Sequence, residues 1–133
     1  MTLDATTLLN TIAETTQGVL FPSESDFPIE TYTHGEEEPT AAALLERCGL
    51  AADSPVEEST LADTFSGLTE AEEDASEGTR FAAERFRKLI ELLETNLEKI
   101  RAYRLGAVDL EVFVLGRHAS GTWLGVRTKA VET

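Results

Sequence analysis

The sequence predicts an α/β fold of the α+β kind, in which helices pack on a mostly antiparallel sheet. Its clearest feature is a pair of runs, 104–116 and 122–133, that are rich in Val, Leu, Phe and Trp and flank a short polar break containing Gly. This pattern is typical of a β-hairpin. A long helical periodicity at about 79–102, and other helices interleaved with strands, predict helices packed on a central sheet. A chain of 133 residues is expected to form one domain, 1–133.

The N-terminal half is predicted to alternate helices, strands and loops. The first helix is expected at 4–16, because Asp4 or Thr6 can cap its start and its apolar residues form one stripe. Two prolines, two serines and two acidic residues make 22–28 a loop. The elements expected after it are a strand at 29–33, a helix at 40–47, a short strand at 56–59 and one or two helical turns at 60–65.

The longest helix is predicted to be the main packing element. The segment from Thr69 to Glu72 matches a capping box, and Thr79 is expected to open a helix that runs to about Ala102. Its buried stripe is expected to consist of Phe81, Phe86, Leu89, Ile90, Leu93, Leu97 and Ile100.

The C-terminal hairpin is predicted to bury one face and to leave the other partly in solvent. In its first strand the buried face is expected to carry Val108, Leu110, Val112 and Val114, and the other face Asp109, Glu111 and Phe113. The second strand reaches Thr133 with almost no tail. Because free termini are usually loose, a chain that ends on a strand is expected to hold its terminal carboxylate in a nearly fixed place.

Acidic charge is concentrated in one part of the chain. Residues 1–79 contain 18 acidic residues and one basic residue, Arg47, whereas residues 80–133 contain 7 acidic and 10 basic residues, so the two parts carry −17 and +3. Such a field repels nucleic acid and attracts basic surfaces. We therefore expect no direct nucleic-acid binding. A solvated surface adapted to salt is the alternative explanation, since Lys occurs only three times.

The compartment is indicated by what the sequence lacks. Neither a signal peptide nor a membrane-spanning run is recognisable, and Cys48 is the sole cysteine, which excludes a disulfide within the chain. We expect a cytoplasmic protein that does not contact a membrane.

Familiar catalytic patterns are missing. The sequence has no Gly-rich phosphate loop, no local nucleophile motif and no metal-ligand spacing. His118 is expected at the surface of the hairpin turn. Asp109 and Glu111 share one face of a strand, like a catalytic carboxylate pair. Arg127 and Lys129 on the partner strand are expected to neutralise them across the sheet.

Two segments offer hard oxygen atoms. One is the loop Ser23-Glu24-Ser25-Asp26, between two prolines, and the other is Thr133, which carries both a hydroxyl and the α-carboxylate. Oxygen ligands of this kind suit Mg²⁺. The same features are also common in an ordinary turn and an ordinary chain end.

These residues fall within a wider similarity. The sequence resembles the nuclease A inhibitor (NuiA-like) family, which are small acidic proteins that block sugar-nonspecific, Mg²⁺-dependent DNA/RNA nucleases of the ββα-metal type. The matching segments are 18–28, the helical part 88–97, the strand region 103–116 and the C-terminal 128–133.

The resemblance implies a three-layer α-β-α sandwich and a site for a partner. In this family the loop and the C-terminal Thr enter the nuclease active site, which corresponds here to Glu24, with Ser23, Ser25 and Asp26 beside it, and to Thr133. Thr133 would bind the metal of the partner nuclease, only in the complex. Family members can present an aromatic residue from the loop before the long helix, and the corresponding 67–76 has neither Trp nor Tyr.

The sequence thus predicts a protein inhibitor, not an enzyme, that needs no cofactor of its own and whose partner is a DNA/RNA non-specific nuclease with a basic, Mg²⁺-containing active site. An acidic protein-interaction module of the same fold, without nuclease inhibition, is the first alternative. An enzyme that uses Asp109, Glu111 and His118 is the second.

Overall fold

The computed structural model describes residues 2–133 and is built around a five-stranded antiparallel sheet. Its elements are α1 (Ala5–Thr16), β1 (Leu20–Phe21), β2 (Phe27–Pro28), β3 (Glu30–Gly35), α2 (Ala41–Arg47), β4 (Val56–Ser59), α3 (Leu61–Thr64), α4 (Glu77–Asn96), β5 (Leu97–Leu105), β6 (Asp109–His118) and β7 (Trp123–Val131). The sheet has the order β3-β7-β6-β5-β4, while β1 and β2 form a separate two-stranded pair. The predicted mixed fold and C-terminal hairpin, β6 with β7, are confirmed.

Helices begin where the sequence offers a capping side chain. Asp4 caps α1, Thr40 caps α2 and Thr60 caps α3, each accepting a hydrogen bond from the backbone N–H three residues on. At α1 this bond, donated by the N–H of Thr7, is the main reason that the pKa of Asp4 lies below its ordinary value. Of the two caps expected for α1, the structure uses Asp4.

Both faces of the central strand β6 are buried. Val112 and Val114 join one hydrophobic cluster, and Phe113 and Leu115 join another. The first cluster includes Leu8 and Ile12 of α1 with Leu89 and Leu93 of α4, and the second includes Leu44 and Leu45 of α2. The expectation that Phe113 lies on a partly solvated face is therefore wrong, because α2 covers that face. Val108 was expected on the buried face, but it precedes β6 and is 45% exposed. The arrangement of the whole chain as a three-layer α-β-α sandwich stays a prediction.

The long helix differs from its prediction at both ends. The helix begins at Glu77 with Ser76 as its cap, not at Thr79, and it stops at Asn96. The segment from Thr69 to Glu72 that matches a capping box does not open a helix. The next residues form β5, which pairs with β6, so 97–102 is strand and not helix. Asn96 marks the change, because its amide donates to the Leu92 carbonyl at 2.8 Å and its Oδ1 accepts from the Leu3 N–H at 2.8 Å.

The predicted buried stripe of this helix holds only in its middle. Phe86, Leu89 and Leu93 are buried in the α4 interface. Phe81 is 44% exposed, contrary to the prediction. Leu97 belongs to the strand, as does Ile100. Past Asn96, the apolar residues Leu97 and Ile100 have a spacing that is compatible with a helix or a strand. Pairing with β6 makes this segment a strand.

His118 is buried and not, as expected, a surface residue of the turn. The Ser120 N–H donates to its Nδ1 at 3.0 Å, so in the neutral ring Nε2 carries the proton and donates to the Leu3 carbonyl at 2.6 Å. The ring thus joins the N-terminal segment to the end of β6. Among residues 2–133, no helix combines the length and apolar character needed to cross a membrane.

Candidate functional site

The acidic loop is the tip of a short hairpin. Residues Leu20 and Phe21 of β1 pair with Pro28 and Phe27 of β2, so that the loop proper is Pro22–Asp26. The predicted loop at 22–28 was two residues too long, because Phe27 and Pro28 form β2. The strand expected at 29–33 is β3 at Glu30–Gly35. Phe21 is buried and meets the ring of Phe65 edge-on, with centroids 6.1 Å apart, which anchors the hairpin on the core.

Ser23 fastens this loop to the end of β7. Its hydroxyl accepts the Val131 N–H at 3.0 Å and is hydrogen-bonded to the carbonyl of Ser25. The N–H of Glu24 donates to the Val131 carbonyl at 3.2 Å. Further back, the Thr128 hydroxyl donates to the Pro28 carbonyl at 2.8 Å. The hairpin therefore lies along β7 beyond the last residue that pairs with β3.

Glu24 holds the last residue of the chain with both oxygens of its carboxylate. The N–H of Thr133 donates to Oε2 at 2.8 Å, and the Thr133 hydroxyl donates to Oε1 at 2.7 Å. Residues 109 positions apart in sequence are thereby brought into direct contact. Both donors come from Thr133, so its α-carboxylate keeps its full acceptor capacity, and the hydroxyl oxygen keeps lone pairs.

The other side of the terminal segment is held by Val108, which precedes β6, and by Arg104 of β5. The N–H of Glu132 donates to the Val108 carbonyl at 2.9 Å. The carboxylate of Glu132 forms an ion pair with the guanidinium of Arg104, a residue of β5. We call Ser23, Glu24, Arg104 and Val108, together with the segment 131–133 that they hold, the C-terminal clasp.

The predicted site residues are unequally involved in this arrangement. Ser23, Glu24 and Thr133 lie together in one place. Ser25 bonds only within the loop, through its N–H to the Ser23 hydroxyl at 3.3 Å and through its carbonyl. Asp26 is exposed, and within residues 2–133 its side chain makes no hydrogen bond or ion pair that the structure records. Sequence reasoning missed Arg104 and Val108, because only strand register brings them to the terminus.

The clasp is rich in negative charge. Glu24 is hydrogen-bonded to Thr133, which carries the terminal carboxylate, and the adjacent Glu132 is paired with Arg104. Over the described part of the chain, no group of three or more His, Cys, Asp or Glu side chains is arranged to hold a metal ion. The clasp instead offers oxygen atoms that face solvent, since Glu24 and Thr133 are both exposed.

The residues of the enzyme alternative are not brought together. Asp109 and His118 are the first and last residues of β6, about 30 Å apart at the usual rise of a strand. Glu111 pairs with Arg127 at 3.5 Å and with Lys129 at 4.0 Å, as the cross-strand prediction required. Asp109 is exposed beside Val131.

Comparison with known families finds a match over nearly the whole chain. The sequence model of the nuclease A inhibitor-like protein family matches residues 6–133, which includes both halves of the clasp. The chain belongs to the nuclease A inhibitor-like family. No curated protein matches the chain. Family membership confirms the predicted resemblance and indicates a nuclease inhibitor whose partner is a nuclease.

Proposed function

We propose that this nuclease A inhibitor-like protein blocks a sugar-nonspecific, Mg²⁺-dependent DNA/RNA nuclease by placing its C-terminal clasp in the active site. The observation that supports this most is the contact between Glu24 and Thr133, which joins the two segments of the chain that offer hard oxygen atoms. Inhibition then depends on one rigid acidic edge, and the chain itself performs no catalysis.

Glu24 suits the role of a phosphate substitute. A nuclease binds the scissile phosphate with basic side chains, and an exposed carboxylate offers such side chains a similar pair of oxygens. Each carboxylate oxygen of Glu24 accepts one hydrogen bond from Thr133, and each has a further lone pair for a guanidinium or ammonium group of the partner. The internal bonds also fix the carboxylate, so little freedom remains to be lost on binding.

Thr133 suits the role of a ligand to the metal of the nuclease. Mg²⁺ prefers oxygen ligands and retains several waters, so a carboxylate or hydroxyl that arrives with the inhibitor can replace one of them. Ordering a free chain end would cost about 1–2 kcal/mol per residue. Here the bonds to Val131, Glu132 and Thr133 have already ordered the end during folding.

The test is an inhibition assay with a purified sugar-nonspecific nuclease of the ββα-metal type, plasmid DNA and Mg²⁺. Glu24→Gln keeps the size of the side chain and removes its charge, and Glu91→Gln removes the same charge from an exposed position on α4. Truncating one member of an interfacial charge pair typically costs about 2–5 kcal/mol. We expect the inhibition constant of Glu24→Gln to rise at least roughly 30-fold, at the lower end of that range.

The control and the alternatives have distinct outcomes. Glu91→Gln is expected to change the inhibition constant less than about twofold, as for a single charge distant from an interface. Equal effects of the two variants would contradict a specific role for Glu24. Binding of the nuclease without loss of its activity would support an acidic interaction module of the same fold.

A further inference from the structure

We propose that Arg104 is a positioning residue for the C-terminal carboxylate, a role that rests on the proposed function of the clasp. Arg104 forms its ion pair with Glu132 and not with Thr133. It acts through Glu132, the residue that connects the end of β7 to Thr133.

Arg104 lies on a strand that does not pair with β7. It lies on β5, separated from β7 by β6, in a row with Val112 and Thr128. Because side chains alternate along a strand, Glu132 projects from the same face as Thr128, two alternations further along. The guanidinium therefore reaches diagonally across β6 to the end of a strand with which β5 does not pair.

Arg104 is more buried than its partner Glu132. The side chain of Arg104 is only 18% exposed, whereas that of Glu132 is 56% exposed. A long cationic side chain in ordinary surroundings keeps its charged end in water. Here the side chain lies along the sheet and its charged end meets one carboxylate. Arginine suits this task better than lysine, because its planar group can bond a carboxylate in a fixed orientation.

The conformation of Glu132 is not fixed by strand β7 alone. Regular β7 ends at Val131, and beyond it the direction of the chain depends on two soft dihedral angles per residue. The main-chain bond from Glu132 to Val108 restricts one side of this residue, and the ion pair with Arg104 fixes its side chain. Glu24, Glu132 and the terminal carboxylate also repel one another, and Arg104 offsets that repulsion at Glu132.

The experiment compares inhibition constants of Arg104→Met, Arg104→Lys and Glu132→Gln against the same ββα-metal nuclease with Mg²⁺. Arg101→Met is the matched control, since it removes an exposed cation from the same strand. We expect Arg104→Met and Glu132→Gln each to raise the inhibition constant roughly fivefold, and their combination to raise it no further. Arg104→Lys is expected to raise the inhibition constant less than Arg104→Met does. Arg101→Met is expected to change the inhibition constant less than about twofold.

A variant lacking Thr133 separates positioning from general destabilisation. In that background the Arg104→Met effect should disappear, because no terminal group remains at position 133 to be aligned. An equal Arg104→Met effect with and without Thr133 would overturn the inference. Inhibition as strong as that of the native protein by both Arg104→Met and Glu132→Gln would also overturn the inference. Loss of inhibition on deleting Thr133 would then still support the proposed function. Full inhibition without Thr133 would overturn both.

Discussion

Glu24 has two tasks in this structure, because the same carboxylate that is proposed to face the nuclease also holds Thr133. Replacing Glu24 by Ala would remove a contact with the partner and release the end of the chain at once. Changes at Glu24 and Thr133 are therefore expected to be non-additive, as for residues in direct contact. For this reason the milder Glu24→Gln, which keeps one acceptor oxygen for Thr133, is the more informative variant.

Extending the chain at Thr133 tests the metal-binding role at the scale of one residue. A C-terminal tag converts the α-carboxylate into an amide and crowds its approach to a metal. We expect a tagged protein to inhibit at least roughly tenfold more weakly, because losing an interaction with a charged group costs about 1.5–3 kcal/mol. The circular dichroism spectrum and melting temperature of the free protein should stay nearly unchanged, since Glu24 bonds the N–H and hydroxyl of Thr133 and not its carboxylate.

The same tag at the N-terminus is the control. Leu3 bonds His118 at one end of β6, whereas the clasp lies beside Asp109 at the other end. Removing Mg²⁺ should weaken the complex of the untagged protein and have a smaller effect on that of the C-terminally tagged one. If the C-terminally tagged protein inhibits as well as the untagged one, Thr133 does not bind the metal.

At the scale of elements, α4 packs its buried side chains against the sheet. Leu93, near its C-terminal end, is completely buried, whereas Phe81, near its start, is 44% exposed. Leu93→Ala is expected to lower the free energy of unfolding by about 2–5 kcal/mol, because it removes a buried side chain and leaves a cavity. The measurement is chemical denaturation at equilibrium.

Phe81→Ala is the comparison within the same helix. Both residues belong to the stripe predicted from spacing, so the pattern alone assigns them similar importance. The structure predicts a loss of less than about 1 kcal/mol for Phe81→Ala, as for most changes on a surface. Similar losses for the two variants would mean that the N-terminal part of α4 is packed differently.

At the scale of the whole molecule, the charge distribution should govern how fast a partner is found. The first 79 residues carry −17, and the clasp adds Glu132 and the terminal carboxylate to the acidic residues of the loop. Electrostatic steering acts over a Debye length of about 10 Å at 0.1 M salt. We expect the association rate with a basic nuclease to fall at least roughly tenfold between 0.02 and 0.5 M NaCl.

Rates measured by stopped-flow fluorescence would check this expectation, with dissociation followed separately. Dissociation should change much less than association, because contacts inside the interface are screened less than charges in solvent. An association rate that stays constant over this range would show that the acidic surface serves solubility or salt adaptation and not the partner.

The sequence by itself determined the local features of this protein. Asp4 as a helix cap, the pairing of β6 with β7, and the Glu111 contacts with Arg127 and Lys129 all follow from residues that are neighbours along a helix or across a hairpin. Such interactions span few residues, so patterns of spacing are enough to predict them.

Only the tertiary structure decided which segments meet. The apolar spacing past Asn96 suits helix and strand alike, and pairing with β6 selected the strand. Phe113 and His118 are buried because α2 and the N-terminal segment cover them, which no local pattern indicates. Glu24 reaches Thr133, and Arg104 reaches Glu132, through the order and register of strands that lie far apart in sequence. Sequence spacing specifies the elements, whereas the burial of shared apolar surface fixes how they are arranged, and the clasp exists only in that arrangement.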